Sequence, residues 1–427
     1  MQKFTIARDD HIYSCFPDIA RTPAGTLVCV YRESMGHAPF PFSRLAVRRS
    51  LDQGQTWMDR QIIFECVASP QSIEEHRSWL ESDALAGYEE SRGRVCEDWQ
   101  IGSSINCSRL TCLADGTLFL IADFASWDEK RQCHWTNRIW RSSDDGITWE
   151  GPELARLPEG LVPSVNQLRD GQIMVGLTRE GKKLTQFVCR SSDGGHTWTE
   201  PVDIPDPQDL NICEGSFLEL DDGLIVGILR STCGDQGYKV FSEDGGMTWR
   251  GPFETHLVGL EGRPKAGLLS SGEVCITYRH GAPNEYLAMH VVTQAGICVE
   301  KKGRLLKRQP TPDDLPESQG KGLPEYMTHY YPGRTFYIDI DRSVHRDSGY
   351  SGWVQLDNGD VYVADYINDD APLAQIRGYR ISRSDYILFP EGDLPWLHPS
   401  WQPFRAITSA LVERQKNLFG EHRKAGL

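Results

Sequence analysis

The feature that most limits how this chain can fold is an octapeptide, Ser-x-Asp-x-Gly-x-Thr-Trp, that occurs four times: Ser50 to Trp57, Ser142 to Trp149, Ser191 to Trp198 and Ser242 to Trp249. Its parts make a turn between two strands. Ser and Asp bond the local backbone, Gly takes a positive φ, and Trp packs between neighbouring sheets. A turn repeated in this way marks an array of similar units rather than one irregular core.

A second, fainter repeat consists of an apolar strand, a turn ending in Gly, and another strand. It runs from Pro17 to Arg32 around Gly25, Cys107 to Asp123 around Gly116, Pro163 to Arg179 around Gly171, Glu214 to Arg230 around Gly223, Arg263 to Arg279 around Gly272, and Tyr350 to Tyr366 around Gly359. The basic spacing is about 50 residues, the length of a four-stranded blade. The 40 Gly, 24 Pro and 10% aromatic residues suit many short strands joined by tight turns. The expectation is an all-β, six-bladed β-propeller of four-stranded antiparallel blades, forming one domain over residues 1–427. Two insertions interrupt the period. The first spans roughly residues 65–100, with helical character around Ile73 to Leu85, and the second, proline-rich, spans roughly residues 301–346. Strand alternation puts both after a blade's outermost strand, capping the face away from the octapeptide turns.

Charge and composition exclude several classes. A net charge of -15 without a basic run argues against nucleic acid. The chain has no 18-residue apolar run, so no membrane-spanning helix is expected. Met1 to Arg8 lacks the apolar segment of a secretory signal, so a cytoplasmic protein is expected, with secretion the alternative if a leader has been removed. The 12 Cys include no CxxC pair and several sit in apolar strand patterns, which fits reduced core thiols. HExxH is absent and the histidines do not cluster at ligand spacing, so neither a metal nor another cofactor is expected.

Aligning the units on their glycines places Phe16, Cys107, Val162, Glu214, Arg263 and Tyr350 in one slot. Asp18, Arg109, Ser164, Ser216, Lys265 and Gly352 follow two residues later on the same side of the strand. So much charge on inner strands points to a solvated mouth. The far ends of the second strands add Arg32, Asp123, Arg179, Arg230, Arg279 and Tyr366. Guanidinium groups converging without as many carboxylates suit a planar anion.

The octapeptide is the Asp-box motif of sialidase-type propellers, and the sequence resembles the sialidase (neuraminidase) superfamily. Cys213 to Phe217 running on to Leu229-Arg230 resembles that family's Glu-to-Arg blade, and Gly349-Tyr350-Ser351 resembles its tyrosine-containing last blade. The resemblance implies a Tyr350 nucleophile activated by Glu214, with Arg230 and Arg279 on a substrate carboxylate. A neutral phenol is a poor nucleophile until a carboxylate takes its proton, yet it avoids the repulsion that an attacking carboxylate feels from an anionic sugar. Cys15 stands where the family has its first arginine, although Pro17 is kept. That departure implies a clamp rebuilt from Arg32 or Arg263, with Arg179 a further candidate from the ring. The acid/base candidates are His37 or Glu33, in the segment that leads into the loop after the first unit, and Asp18, at the channel mouth.

The sequence therefore points first to a glycoside hydrolase that removes a terminal acidic sugar from a glycan. A polysaccharide lyase acting on a uronate-containing chain and a non-catalytic glycan-binding propeller are the alternatives. In each case the partner is an acidic carbohydrate.

Overall fold

The computed structural model describes residues 1–37, 42–67, 103–127, 133–234, 236–281, 285–298 and 333–388. After β1 (Gln2–Ala7), blade one is built from the inside outward of β2 (Tyr13–Arg21), β3 (Leu27–Ser34), β4 (Phe42–Ser50) and β5 (Gln61–Val67). Blade two is β6 (Ser103–Cys112), β7 (Leu118–Trp127), β8 (Cys133–Ser142) and β9 (Glu150–Leu154). Blade three is β10 (Leu161–Gln167), β11 (Ile173–Arg179), β12 (Thr185–Ser191) and β13 (Val202–Asp203), and blade four is β14 (Ile212–Glu219), β15 (Ile225–Ser231), β16 (Gln236–Ser242) and β17 (Arg250–Val258). Blade five is β18 (Lys265–Leu268), β19 (Val274–His280), β20 (Tyr286–Val292) and β21 (Gly333–Ile340). Blade six is β22 (Gly352–Gln355), β23 (Val361–Ile367) and β24 (Gln375–Ile381), with β1 as its outermost strand. The fold is thus the expected six-bladed propeller, closed by an antiparallel pairing of the N-terminal strand with β24 that includes Phe4 opposite Gly378.

The Asp boxes repeat one hydrogen-bond scheme and join the blades. In the first, the Gly54 N–H donates to Ser50 Oγ at 2.8 Å, and the Thr56 hydroxyl donates to Asp52 at 2.6 Å. Gly54 has φ +85°, and a Cβ there would lie 2.2 Å from the ring of Tyr362 in blade six. Gly146 meets Val28, Gly195 meets Phe119 and Gly246 meets Met174, so each box glycine seats on the second strand of the preceding blade. The apolar core follows the same plan. Six buried clusters lie one at each blade-to-blade interface, such as Val28, Leu45, Leu118 and Trp140 between blades one and two.

The first insertion lies after β5, as expected, but the stretch 73–85, for which helical character is expected, falls outside the described residues. The second is placed differently. Its C-terminal part is β21, the outer strand of blade five, so residues 299–332 join β20 to β21 rather than following the outermost strand. β20 ends on the Asp-box face, because the third strand of every blade runs toward that face.

The inner polar ring also differs from expectation. Asp18, Arg109 and Ser216 are buried, and they link blades rather than line a wet mouth. Asp18 accepts the Leu110 N–H at 3.1 Å and pairs with Lys265 at 3.3 Å, Arg109 Nε donates to the Pro163 carbonyl at 2.8 Å, and Ser216 Oγ accepts the Ala266 N–H at 3.0 Å. Buried polar groups persist because they are bonded in this way.

Candidate functional site

The six slot residues escape regular ladder pairing. In blades one to four the ladder between first and second strands slips at the slot, between Cys15 and Asp18, Ile105 and Ser108, Leu161 and Ser164, and Cys213 and Ser216. Such bulges re-aim a side chain. Two slot residues take left-handed backbone angles, Phe16 at φ +53° and Glu214 at φ +49°. This conformation is unfavourable for residues with a Cβ, and at Glu214 it is held by the blade-three Thr178 hydroxyl, which accepts the Glu214 N–H at 2.8 Å. In blades five and six the slot residues Arg263 and Tyr350 lie just before β18 and β22.

On the face opposite the Asp boxes, these positions converge. The Tyr350 hydroxyl donates to Glu214 Oε1. Arg230 Nη1 donates to Glu214 Oε2 at 2.8 Å and to the Tyr350 oxygen at 3.1 Å. Arg263 and Arg279 flank the Tyr350 ring, with guanidinium carbons 5.3 and 5.4 Å from its centroid. Gly262 and Gly349 make room: a Cβ on Gly349 would press to 2.4 Å from Arg279, and one on Gly262 to 2.5 Å. Both carboxylate oxygens of buried Asp365 accept the Gly349 N–H at 3.0 Å and fix the approach to Tyr350.

The electrostatics separate the two central groups. Burial pushes the Tyr350 phenol well above its usual value of 10, and the Glu214 charge adds to that. Burial also pushes Glu214 upward, but the Arg230 charge, the hydrogen bonds from Tyr350 and Arg230, and the Arg279 charge together hold it below 4.5. The resting pair is therefore a neutral phenol donating to a carboxylate. Three guanidiniums surround one carboxylate. The Nε of Arg230, Nε and Nη1 of Arg263, and Nε of Arg279 are buried without a hydrogen-bond partner among the described residues. Buried donors left open in this way cost free energy unless an acceptor arrives. The excess of positive charge beside the Tyr350–Glu214 pair suits an anion.

Three of the sequence candidates lie elsewhere in function. Arg32 is fully buried and spends its donors on the protein: Nε on Cys15 Sγ at 3.3 Å, Nη1 on the Ile105 carbonyl and Asn106 Oδ1, both at 3.3 Å, and Nη2 on the carbonyls of Gly36 at 2.9 Å and His37 at 2.5 Å. It ties down the His37 loop and has no donor left for a ligand. Arg179 is 43% exposed, stacks on Phe187 and faces Asp203 of the outermost strand at 3.7 Å, away from the cluster. Asp18 is sealed in the inner ring, so it has no access to an incoming sugar. His37 lies one ring away from the cluster. Its ring packs edge-on against Phe16 at 5.0 Å, and Phe16 in turn meets Tyr350 at 5.5 Å. Asp347 was not singled out from the sequence; it bonds His37 Nδ1 at 2.6 Å. It lies in the connection before blade six, where the repeat alignment carries no signal.

The model of a BNR repeat-like domain matches residues 71–363, more than half of the chain. The chain belongs to the BNR repeat-like domain family. Curated proteins yield no match. Among solved structures, this BNR propeller is similar to a protein of unknown function from Dyadobacter fermentans, with 18% identity, 90% of this chain and 98% of the other covered, and a TM-score of 0.63. It is similar to the intramolecular trans-sialidase of Ruminococcus gnavus in complex with oseltamivir carboxylate, with 12% identity, coverage of 88% and 96%, and a TM-score of 0.56. It is also similar to an α-L-arabinanase of Penicillium chrysogenum complexed with arabinobiose, with 12% identity, coverage of 91% and 99%, and a TM-score of 0.52. At these identities the likeness is one of fold, a sialidase-like BNR propeller.

Proposed function

We propose that this BNR propeller is a glycoside hydrolase that removes a terminal acidic sugar from a glycan. The observation that carries the proposal is the hydrogen-bonded Tyr350–Glu214–Arg230 group, flanked by Arg263 and Arg279 with open buried donors. In this account Arg230 and Arg279 grip the sugar carboxylate. Arg263, fully buried against the Tyr350 ring, adds positive charge behind the nucleophile rather than a contact to the sugar. Tyr350 attacks the anomeric carbon as its proton passes to Glu214, and the positive site offsets the charge of the anionic sugar. His37, partly exposed beside Phe16, takes the role of proton exchange with the leaving oxygen. The trans-sialidase among the similar structures supports an acidic sugar, and the arabinanase makes a neutral pentose the control.

The test is incubation of the purified protein with aryl glycosides and oligosaccharides of acidic sugars, alongside arabino-oligosaccharides. Release of the acidic sugar with a new reducing end, and no ultraviolet absorbance from an unsaturated product, is the expected result. Absorbance from an unsaturated uronate would replace hydrolysis by elimination, and binding without turnover would make the protein a glycan-binding module.

A further inference from the structure

We infer that His37 and Asp347 form a proton-transfer dyad for this site, with His37 as acid and base and Asp347 as the residue that positions it. The inference rests on the hydrolase reading and extends it to a residue outside the repeats. Asp347 is buried and gathers three donors: the Tyr13 hydroxyl and His37 Nδ1 on Oδ2, and the Tyr366 hydroxyl on Oδ1 at 2.6 Å. Its own N–H donates to Asp341 at 2.9 Å. Burial pushes the Asp347 carboxyl upward, but the His37 charge and the hydrogen bonds from His37, Tyr13 and Tyr366 bring it down to about 2.

These contacts give His37 a defined orientation. A carboxylate on Nδ1 fixes the tautomer and leaves Nε2 as the exchanging nitrogen. Arg32 holds the His37 carbonyl from behind, and Phe16 supports the ring edge-on. The same Phe16 ring meets Tyr350 and Tyr366 at 5.5 and 5.2 Å, so the dyad and the nucleophile share one wall. The side chain of His37 is 29% exposed, enough to meet a leaving group, while that of Asp347 is 7% exposed. The other titratable groups facing the dyad are Tyr13 from β2, Tyr366 from β23, and Asp341 and Glu285, the last in the electrostatic neighbourhood of Asp347 and Arg279.

The protons and bonds balance over two steps. First, the Tyr350 oxygen bonds to the anomeric carbon as the glycosidic C–O bond breaks. The Tyr350 proton passes to Glu214, and the His37 Nε2 proton passes to the departing oxygen, which leaves as an alcohol. Second, neutral His37 Nε2 takes a proton from water, whose oxygen bonds to the anomeric carbon. Tyr350 departs and recovers its proton from Glu214.

The experiment compares wild type, His37→Gln, Asp347→Asn, Asp347→Glu and Tyr350→Phe on two glycosides of the acidic sugar, one with an alkyl and one with a nitrophenyl leaving group, across pH. A nitrophenolate leaves without a proton donor, so the dyad variants should lose roughly 100-fold on the alkyl glycoside and under about tenfold in nitrophenolate release. His37→Gln should abolish the alkaline limb of kcat/KM. Asp347→Asn should share the leaving-group dependence of His37→Gln, and Asp347→Glu should restore part of the alkyl-glycoside activity. Azide, which attacks without a base, should speed the second step in His37→Gln. Tyr350→Phe should be inactive on both substrates. Imidazole nitrogen NMR of the wild type gives a measurement independent of variant folding, and a proton on Nδ1 in the neutral form is expected. If the dyad variants keep the wild-type pH profile and leaving-group ratio, or if NMR places the neutral proton on Nε2, the dyad is overturned while hydrolysis through Tyr350 stands. If the wild type turns over neither glycoside, the hydrolase reading fails and the dyad fails with it.

Discussion

The hydroxyl of Tyr350 donates to Oε1 of Glu214 across 136 residues of chain, joining the inner edges of blades four and six. Neither residue belongs to a local motif with the other; the propeller alone brings them together. Removing the hydroxyl removes the nucleophile while Arg230, Arg263 and Arg279 remain in place. Tyr350→Phe should lower kcat by at least about a thousandfold, or roughly 4 kcal/mol in the barrier. Affinity for a non-hydrolysable acidic glycoside, measured by calorimetry, should change by less than about threefold.

Glu214 sets an acid limit. Burial pulls its carboxyl up, but Arg230, Tyr350 and Arg279 outweigh that and hold it below 4.5. A depressed carboxyl keeps its proton-accepting form until pH falls through the depressed value. The acid limb of kcat/KM should therefore lie below pH 4.5 in wild type and vanish in Glu214→Gln, whose residual activity is low throughout. A limb well above pH 5 that persists in Glu214→Gln would assign it to another group.

The guanidiniums should report charge. Arg279 uses Nη1 and Nη2 on backbone carbonyls at 3.3 and 3.4 Å and leaves Nε open. Loss of a charge-assisted hydrogen bond costs roughly 1.5–3 kcal/mol, so Arg279→Ala should raise KM for an acidic glycoside by about 10- to 100-fold. The matched neutral glycoside, with the carboxylate reduced to an alcohol, should show little change. Equal losses on both would contradict a carboxylate role.

Asp123 carries a pH-dependent stability term away from the catalytic group. It is buried on β7 of blade two against the start of blade three, where burial raises its carboxyl to about 7 despite hydrogen bonds from the Val162 N–H at 2.7 Å and Asn137 at 3.1 Å. A carboxyl raised in the folded state destabilises at high pH: the unfolded chain ionises near 3.8 while the folded chain keeps its proton until about 7. Stability should fall between those values and then level off. Asp123→Asn should abolish that slope and gain roughly 1–4 kcal/mol at pH 8, read by urea unfolding.

The Asp boxes should matter for stability alone. Gly54 combines φ +85° with a Cβ position 2.2 Å from Tyr362, which leaves no room for a methyl group. Gly54→Ala should cost about 2 kcal/mol or more through backbone strain and displacement of Tyr362. Melting temperature should drop with KM unchanged.

The blades were legible because their turns are local chemistry. Ser50, Asp52 and Thr56 satisfy one another within seven residues, and Gly25 or Gly223 marks its hairpin without help from the rest of the chain. Glu214, Arg230, Arg263, Arg279 and Tyr350 could be grouped because each has a fixed offset from such a glycine. What depended on contacts across the disc was not legible in the same way. Asp18 and Arg109 look like mouth residues by offset, yet neighbouring blades close over them with backbone bonds. Arg32 and Arg179 occupy equivalent offsets to Arg230, but one turns into the His37 loop and the other outward to Asp203. Asp347 and the strand Gln2–Ala7 belong to no repeat; the first gains its partners from three segments, and the second completes a blade whose other strands lie at the far end of the chain.

The most direct test is to trap the sugar on the protein. An acidic aryl glycoside fluorinated beside the anomeric carbon forms a glycosyl-enzyme readily but releases it slowly, because the fluorine opposes positive charge at the reacting carbon. Intact mass followed by peptide mapping should show one added glycosyl group on the Tyr350 oxygen, absent in Tyr350→Phe. Turnover of the unfluorinated glycoside with an adduct on another residue would contradict the account.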